Sequence, residues 1–433
     1  MYQINKVKAS NCINVYNSLL KGASKYLLKI WSKKEMNEPE MVFENSTENK
    51  CDIIGSIEEP TSLKTIDSND IFCKGWFYSK NGIKLIDVYL DRRKIGNIVL
   101  GVQRPDLNYT FPQYSKIEES GFYFYKHISV SDGKHTIKIK VINKNNEKKC
   151  FTKDIIVNKN ISSIERINIE LTNHCNLTCR WCVGTGNRPK GFMDYDLFTS
   201  IFNEINSNEL LINEIHIYNV GETLLHPDFF KIIKYIGKFS KRPKIVLVTN
   251  ATLLTEHIIH QIITSNGIDL IQFSIDGGTK ESFEWLRNGA NWDNTLKKVD
   301  LFLNENQGKI KTGLITIDMD VKFSEEFEKI VKKVDFFDFR SPHNWTGKDE
   351  LEGYPFNKKF NPYPCWFVSR NMVILWNGDV TSCCADLHGR GIFGNIKNNN
   401  LNNLWKSGRL NVFRLQGLGR KKEIELCENC SIP

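Results

Sequence analysis

Cys175, Cys179 and Cys182 place three thiols within the stretch Glu170-Leu-Thr-Asn-His-Cys-Asn-Leu-Thr-Cys-Arg-Trp-Cys182, directly after the apolar run Ile167–Leu171. Three thiolates on one tight loop suit a soft metal centre and are one short of a closed tetrahedral set. An iron–sulfur cluster held this way keeps one iron free for a small molecule, which is a catalytic arrangement. A zinc site using His174 with these cysteines is the alternative, but His174 and Cys175 are adjacent and their side chains diverge on extended backbone. A second set, Cys365, Cys427 and Cys430 with either Cys383 or Cys384, lies near the C-terminus and is enough to close one [4Fe–4S] cluster or one four-cysteine zinc site. Only one CxxC pair is present there, unlike a zinc ribbon. Cys383 and Cys384 are neighbours on an expected strand, so only one of them can face a metal.

The elements that must position these residues alternate in type from Glu165 to about His343. Candidate strands are Ile167–Leu171, Glu214–Tyr218, Lys244–Thr249, Leu270–Ile275, Gly313–Ile317 and Phe336–Phe339, with helical segments at 194–206, 227–239, 255–265, 280–304 and 323–334. Strand–helix repetition of this kind builds a parallel sheet with helices outside, and chemistry then sits at the carboxyl ends of the strands. Gly221 at the second end would let backbone approach a ligand, and Glu222 can accept from an ammonium group. Asn250 follows the third strand. Ser274 and Asp276 at the fourth can bond hydroxyls, and Arg287 can form a bidentate pair with a carboxylate. His226, in a Leu-His-Pro-Asp turn, reads as a structural residue. No GxxxxGK loop or glycine fingerprint occurs, so nucleoside triphosphate chemistry is not supported; Gly184-Thr-Gly186 reads as shaping the cysteine loop.

The spacing CxxxCxxC, with Trp181 before the last cysteine, resembles the cluster motif of the radical S-adenosylmethionine (radical SAM) enzymes. The resemblance implies an α/β fold, a partial (β/α)6 TIM-like barrel. It also implies a [4Fe–4S] cluster whose open iron chelates S-adenosyl-L-methionine, from which a 5′-deoxyadenosyl radical abstracts a substrate hydrogen. On this likeness Cys175, Cys179 and Cys182 hold the catalytic cluster. Trp181, Gly221, Glu222, Asn250, Ser274, Asp276 and Arg287 line the cofactor. Gly221-Glu222 is similar to the family's Gly-Gly-Glu, with Val220 in place of the first Gly and Thr223 in place of the usual Pro. Thr249-Asn250-Ala251 is similar to its Thr-Asn-Gly, and Ser274-Ile-Asp276-Gly277 to its Ser-Ile-Asp-Gly.

Residues 360–433 resemble the twitch or SPASM extensions of that family, which carry auxiliary iron–sulfur clusters. The likeness makes Cys365, Cys383, Cys427 and Cys430 the ligands of one auxiliary [4Fe–4S] cluster, with fewer cysteines than the full SPASM form. The layout is similar to that of the 2-deoxy-scyllo-inosamine dehydrogenases, which oxidise a sugar-like alcohol. A two-electron oxidation of a carbohydrate-like alcohol follows as the expectation, with the auxiliary cluster as electron acceptor and a low-potential donor of flavodoxin or ferredoxin type. Radical modification of a ribosomal peptide or protein (oxidation, crosslinking or epimerisation, with Cys384 as a hydrogen-atom donor) is the alternative. A non-catalytic surface-docking iron–sulfur protein is the reading from another class. The ordered strand-end residues argue against it, since structure alone does not need Glu222, Ser274 and Arg287.

At 433 residues the chain is expected to hold several domains. Residues 1–35 read as a basic amphipathic helix that can pack on protein or contact an anionic membrane surface, and 36–60 as a linker. Residues 61–158 carry short alternating strands with turn signals at Asn81-Gly82 and Asp132-Gly133, which indicate a β-sandwich. That module resembles immunoglobulin-like units beside bacterial sugar-handling enzymes; Trp76 and Tyr78 would either stack on sugars or fill its core. The radical SAM core is expected at 163–345. No apolar run is long enough to span a bilayer, and the N-terminus lacks the order of a secretory signal. Eight of the twelve cysteines fall in two metal-like sets and only Cys12, Cys51, Cys73 and Cys150 are scattered, which points to reduced thiols and a cytoplasmic location. The net charge of +9 is spread without an Arg-rich stripe, so nucleic-acid binding is not supported.

Overall fold

The computed structural model describes residues 51–182, 184, 188–206, 210–317, 322–340, 345–347 and 364–431. The amphipathic helix expected at 1–35 and most of the linker lie outside them. Eight strands come first: β1 Ile54–Glu59, β2 Lys64–Ile66, β3 Asp70–Tyr78, β4 Ile83–Leu90, β5 Arg93–Asn97, β6 Gly121–His127, β7 Gly133–Asn143 and β8 Lys148–Val157. They form two sheets, ordered β1-β3-β6 and β2-β8-β7-β4-β5. Period-two alternation turns Ile71, Cys73 and Phe77 of one sheet toward Val88, Ile137, Ile139 and Val141 of the other, and these residues share one buried core. β1 begins inside the stretch read as linker. Its Ser-Ile-Glu-Glu tail looks polar, yet Ile57 is buried and the ladder to β3 is antiparallel throughout. Trp76 packs against Phe111 with ring centroids 5.2 Å apart and is buried, so it belongs to a core.

The second half is a single mixed sheet. β9 Ser162–Ile169, β10 Leu210–His216, β11 Lys244–Thr249, β12 Leu270–Ser274, β13 Lys311–Ile317 and β14 Phe336–Arg340 run parallel in that order. The sheet does not stop at β9. β15 Asn371–Ile374 adds to it in parallel, and β16 Asp379–Thr381 and β17 Ile392–Asn395 follow antiparallel. The edge of the first strand, which would otherwise present unpaired backbone groups, is thus covered by the C-terminal segment. Six strands were expected; the nine-stranded continuation was not.

Alternate residues of these strands point outward. Ile215, Ile245, Leu247, Ile271, Phe273 and Leu314 join Phe198, Ile233, Ile262, Phe302 and Phe327 of the flanking helices in the main core. The intervening positions, Arg166, Glu214, His216 and Lys244 among them, are therefore turned to the inner side. Glu214 meets His216 at 2.8 Å, Lys244 at 3.3 Å and Arg166 at 3.6 Å there. The helical segment expected at 280–304 is two helices, Lys280–Leu286 and Trp292–Asn306. Arg287 leaves helical backbone, Gly289 takes φ +95°, and the Asn291 side chain caps the second helix. Among the described residues no helix is long and apolar enough to cross a membrane.

Candidate cluster and cofactor site

The cysteine loop leaves β9 and is pinned from three sides. The Thr178 amide donates to the Asn288 carbonyl at 3.1 Å and the Arg180 amide to Leu286 at 2.8 Å, so the helix break at 286–288 anchors the loop backbone. The Asn176 side chain donates to the Thr252 hydroxyl at 2.8 Å, after β11. The indole N–H of Trp181 donates to Asp276 at 2.9 Å, after β12. Burial pushes the Cys179 thiol up to about 11; nearby Arg287 favours its thiolate, while Cys182 and Cys175 oppose it. The three thiols therefore sense one another's charge, and ionising all of them needs a cationic centre. His174 stacks on Phe192 with centroids 4.5 Å apart, which gives its ring a packing role.

Gly221 makes room for the cysteine loop. It has φ +90°, and a Cβ there would meet the His174 carbonyl oxygen at 2.6 Å and that of Thr172 at 2.8 Å. The glycine lets the β10 loop close onto the cysteine loop, an approach sealed by the Glu222 amide donating to the His174 carbonyl at 2.8 Å. The Glu222 carboxylate is buried and accepts from the Thr249 hydroxyl at 2.8 Å, the Asn250 amide at 2.8 Å and the Leu224 amide at 3.2 Å. Burial raises its pKa in spite of those bonds. A carboxylate offers about four acceptor positions, so one is left for a further donor. Asn250 reaches the cysteine loop itself, donating to Asn176 at 3.1 Å. His226 is satisfied by the Met193 carbonyl and the Asp228 amide, the structural role expected.

Asp276 is fully buried and accepts from Trp181, from Arg287 Nε at 2.8 Å and from the Ile317 amide at 3.1 Å. Arg287 Nη2 donates to the Ser274 hydroxyl. Asp276 and Ser274 are thus the residues that aim Arg287 and Trp181, which makes them supports of the site. Coulombic attraction from Asp276, then from Cys179, outweighs the burial of Arg287 and keeps it cationic beside the thiols. Trp181 also stacks on Trp345 at 5.3 Å and accepts its indole N–H at 2.7 Å through the main-chain carbonyl.

In the C-terminal segment Cys383, Cys427 and Cys430 lie in one buried cluster with Leu426 and Ala385. Burial raises the Cys383 thiol, and Cys384, Cys365, Cys427 and Cys430 all push the same way. Cys383 and Cys384 follow β16 in a turn; they are not on a strand. They differ in burial: Cys383 is buried among the quartet, whereas Cys384 is partly exposed and has Cys365, then Arg166 and Arg340, as charged neighbours. Among the described residues no three His, Cys, Asp or Glu side chains are gathered so as to hold a single metal ion. Within each thiol set, burial and the charge of the neighbouring thiols raise the thiol pKa together.

The sequence did not reveal the role of Glu170 and Arg188. Glu170, fully buried at the end of β9, pairs fork to fork with Arg188 at 2.8 and 2.9 Å and accepts from Asn219 at 3.2 Å. Arg188 also donates to the Leu387 carbonyl at 2.8 Å, tying the first strand end to the turn after Cys384. A carboxylate ending an apolar strand was the available signal, since it demands a buried cation.

Comparison with known proteins gives the class. Residues 169–334 match the radical SAM superfamily and residues 365–431 the SPASM iron–sulfur cluster-binding domain. By these matches the chain carries a radical SAM domain and a C-terminal SPASM domain, and the two domains imply S-adenosylmethionine, its [4Fe–4S] cluster and auxiliary iron–sulfur binding.

The chain is similar to the S-adenosyl-L-methionine-dependent 2-deoxy-scyllo-inosamine dehydrogenase of Niallia circulans. The two are 23% identical over 273 residues, 61% of this chain and 92% of the relative. It is 32% identical over 109 residues to the tungsten-containing aldehyde ferredoxin oxidoreductase cofactor-modifying protein of Pyrococcus furiosus, a match spanning 30% of that relative. Among solved structures, BtrN in complex with AdoMet and 2-DOIA matches at 19% identity and a TM-score of 0.45, covering 62% of this chain and 93% of that one.

Proposed function

We propose that this protein oxidises an alcohol of a small carbohydrate-like substrate by hydrogen-atom abstraction. Cys175, Cys179 and Cys182 would hold the cluster that binds S-adenosylmethionine, and Cys365, Cys383, Cys427 and Cys430 a closed auxiliary cluster. When bound, these groups supply a 5′-deoxyadenosyl radical for abstraction and an acceptor for the second electron. The observation that carries the reading is the fixed network Trp181–Asp276–Arg287–Ser274, which locks the cysteine loop and sets a permanent cation beside its thiols. Arg287 would receive the methionine carboxylate, and the remaining acceptor position of Glu222 its ammonium group.

The alcohol preference rests on the likeness to the inosamine dehydrogenase, which spans 92% of that relative and 61% of this chain, and on the polar inner side of the barrel. Arg166, Glu214, His216 and Lys244 lie there, and Tyr218 and Arg340 lie beside Cys384. Hydroxyl and guanidinium donors of this kind suit a polyhydroxylated molecule. The β-strand unit at 54–157 is proposed as an immunoglobulin-like packing module. The electron donor would be a flavodoxin or ferredoxin, and residues 1–35 would supply any membrane contact. With 2-deoxy-scyllo-inosamine as the first probe, the reading predicts equimolar 5′-deoxyadenosine and carbonyl product. Turnover of peptide substrates alone would overturn it in favour of peptide modification.

A further inference from the structure

Gln416 sits on the helix Leu410–Gly417 and is buried between two cysteines of the C-terminal quartet. Its Oε1 accepts the main-chain N–H of Cys365 at 2.8 Å, and its Nε2 donates to Cys427 Sγ at 3.3 Å. The backbone N–H can only donate, so it fixes which end of the amide faces it and leaves the NH2 group to the sulfur.

The same helix is gripped by the β-strand unit. Arg414 donates to Asp70 at 3.2 and 3.3 Å, and the Asp70 carboxylate, almost wholly buried, also accepts from Tyr125 at 2.6 Å and meets His127 at 2.9 Å. Phe413 packs edge-on against Phe72 and Tyr125, each at 5.7 Å, in one cluster with Cys365. A side chain at Gly417 would collide with the Tyr125 ring at 2.4 Å.

We infer that Gln416 is a positioning residue for the auxiliary centre, donating a hydrogen bond to a ligand sulfur that makes the cluster easier to reduce, and that the N-terminal β unit exists in part to hold its helix in register. The inference rests on the cluster reading of the quartet. A donor to a thiolate sulfur stabilises the more negative, reduced state, because it offsets charge that grows on reduction. The sandwich is then a buttress behind Cys365, a role its aromatic strands serve by packing on the helix.

The test uses the full chain with Cys175, Cys179 and Cys182 replaced by Ala, so that only the quartet binds metal. After anaerobic reconstitution this parent should hold about four irons. In Gln416→Glu an acceptor for the Cys365 N–H remains, but the donor to sulfur is gone. Gln416→Met, neutral and of similar length, is the second variant. Both are expected to retain iron and to shift the one-electron reduction equilibrium at least tenfold toward the oxidised state, roughly 59 mV lower in potential. Asp70→Ala, which touches neither a cysteine nor Gln416, should move the potential the same way by less. Retained iron with an unmoved potential in both Gln416 variants overturns the assignment, and an unmoved potential in Asp70→Ala overturns the buttress. Zinc or no metal in the parent would instead overturn the cluster reading itself.

Discussion

Arg287 concentrates the electrostatics of the site, because it is buried, aimed by Asp276 and Ser274, and faces Cys179 and Cys182. Replacing it with Lys keeps a charge but loses the planar fork. Arg287→Lys is therefore expected to weaken S-adenosylmethionine binding at least tenfold, about 1.4 kcal/mol, as read by equilibrium dialysis on the reconstituted protein. Glu170 and Arg188 give a prediction about folding. Both are buried and paired fork to fork, so Glu170→Gln leaves a cation without its partner. A loss of about 3–5 kcal/mol in denaturant unfolding is expected, with the double variant Glu170→Gln, Arg188→Met less affected than the sum. The cysteine spacing and the type of each strand-end residue were legible in the sequence. Partners were not: Trp181 and Asp276 stand far apart in the chain, and residue type alone does not say that Asp276 serves Trp181 and Arg287. Gly221 shows the same limit. Its need for glycine was readable, but the object it makes room for is the cysteine loop.

Elements decide how those residues are aimed. The interruption of the expected 280–304 helix at Arg287–Asn291 creates the backbone carbonyls that hold the cysteine loop, and it turns Arg287 toward the thiols. Helical periodicity ran through Gly289 without a visible stop, because the flanking segments are both amphipathic; the glycine and the Asn291 cap were the overlooked signals. The contact between the helix Leu410–Gly417 and β3 supplies a pH prediction. Burial tends to raise the Asp70 carboxyl, but hydrogen bonds from Tyr125, Arg414 and His127 outweigh it and hold its pKa below the ordinary value. A depressed carboxyl contributes stability that is fully present above the unfolded-state value of about 3.9 and is lost as pH falls through the lowered folded value. Thermal unfolding followed from pH 7 downward should therefore show an acid limb that is shallower in Asp70→Asn. An identical limb in both proteins would show that the contact does not titrate.

On the scale of the molecule, one sheet runs from β14 through β9 into β17, so the radical SAM and SPASM domains share backbone hydrogen bonds. The strand–helix alternation made the parallel core readable. The join at β15 was not, since pairing between strands so distant in sequence leaves no periodic trace. This continuity joins the two cysteine-bearing segments through backbone hydrogen bonds. Two clusters predict about eight irons in the native chain and about four after removal of either set. The most direct measurement is anaerobic: the reconstituted, reduced protein is incubated with S-adenosylmethionine and analysed for 5′-deoxyadenosine and methionine. The native chain should form both, and the Cys175→Ala, Cys179→Ala, Cys182→Ala protein neither; a native chain with its full iron content that forms neither would contradict the account.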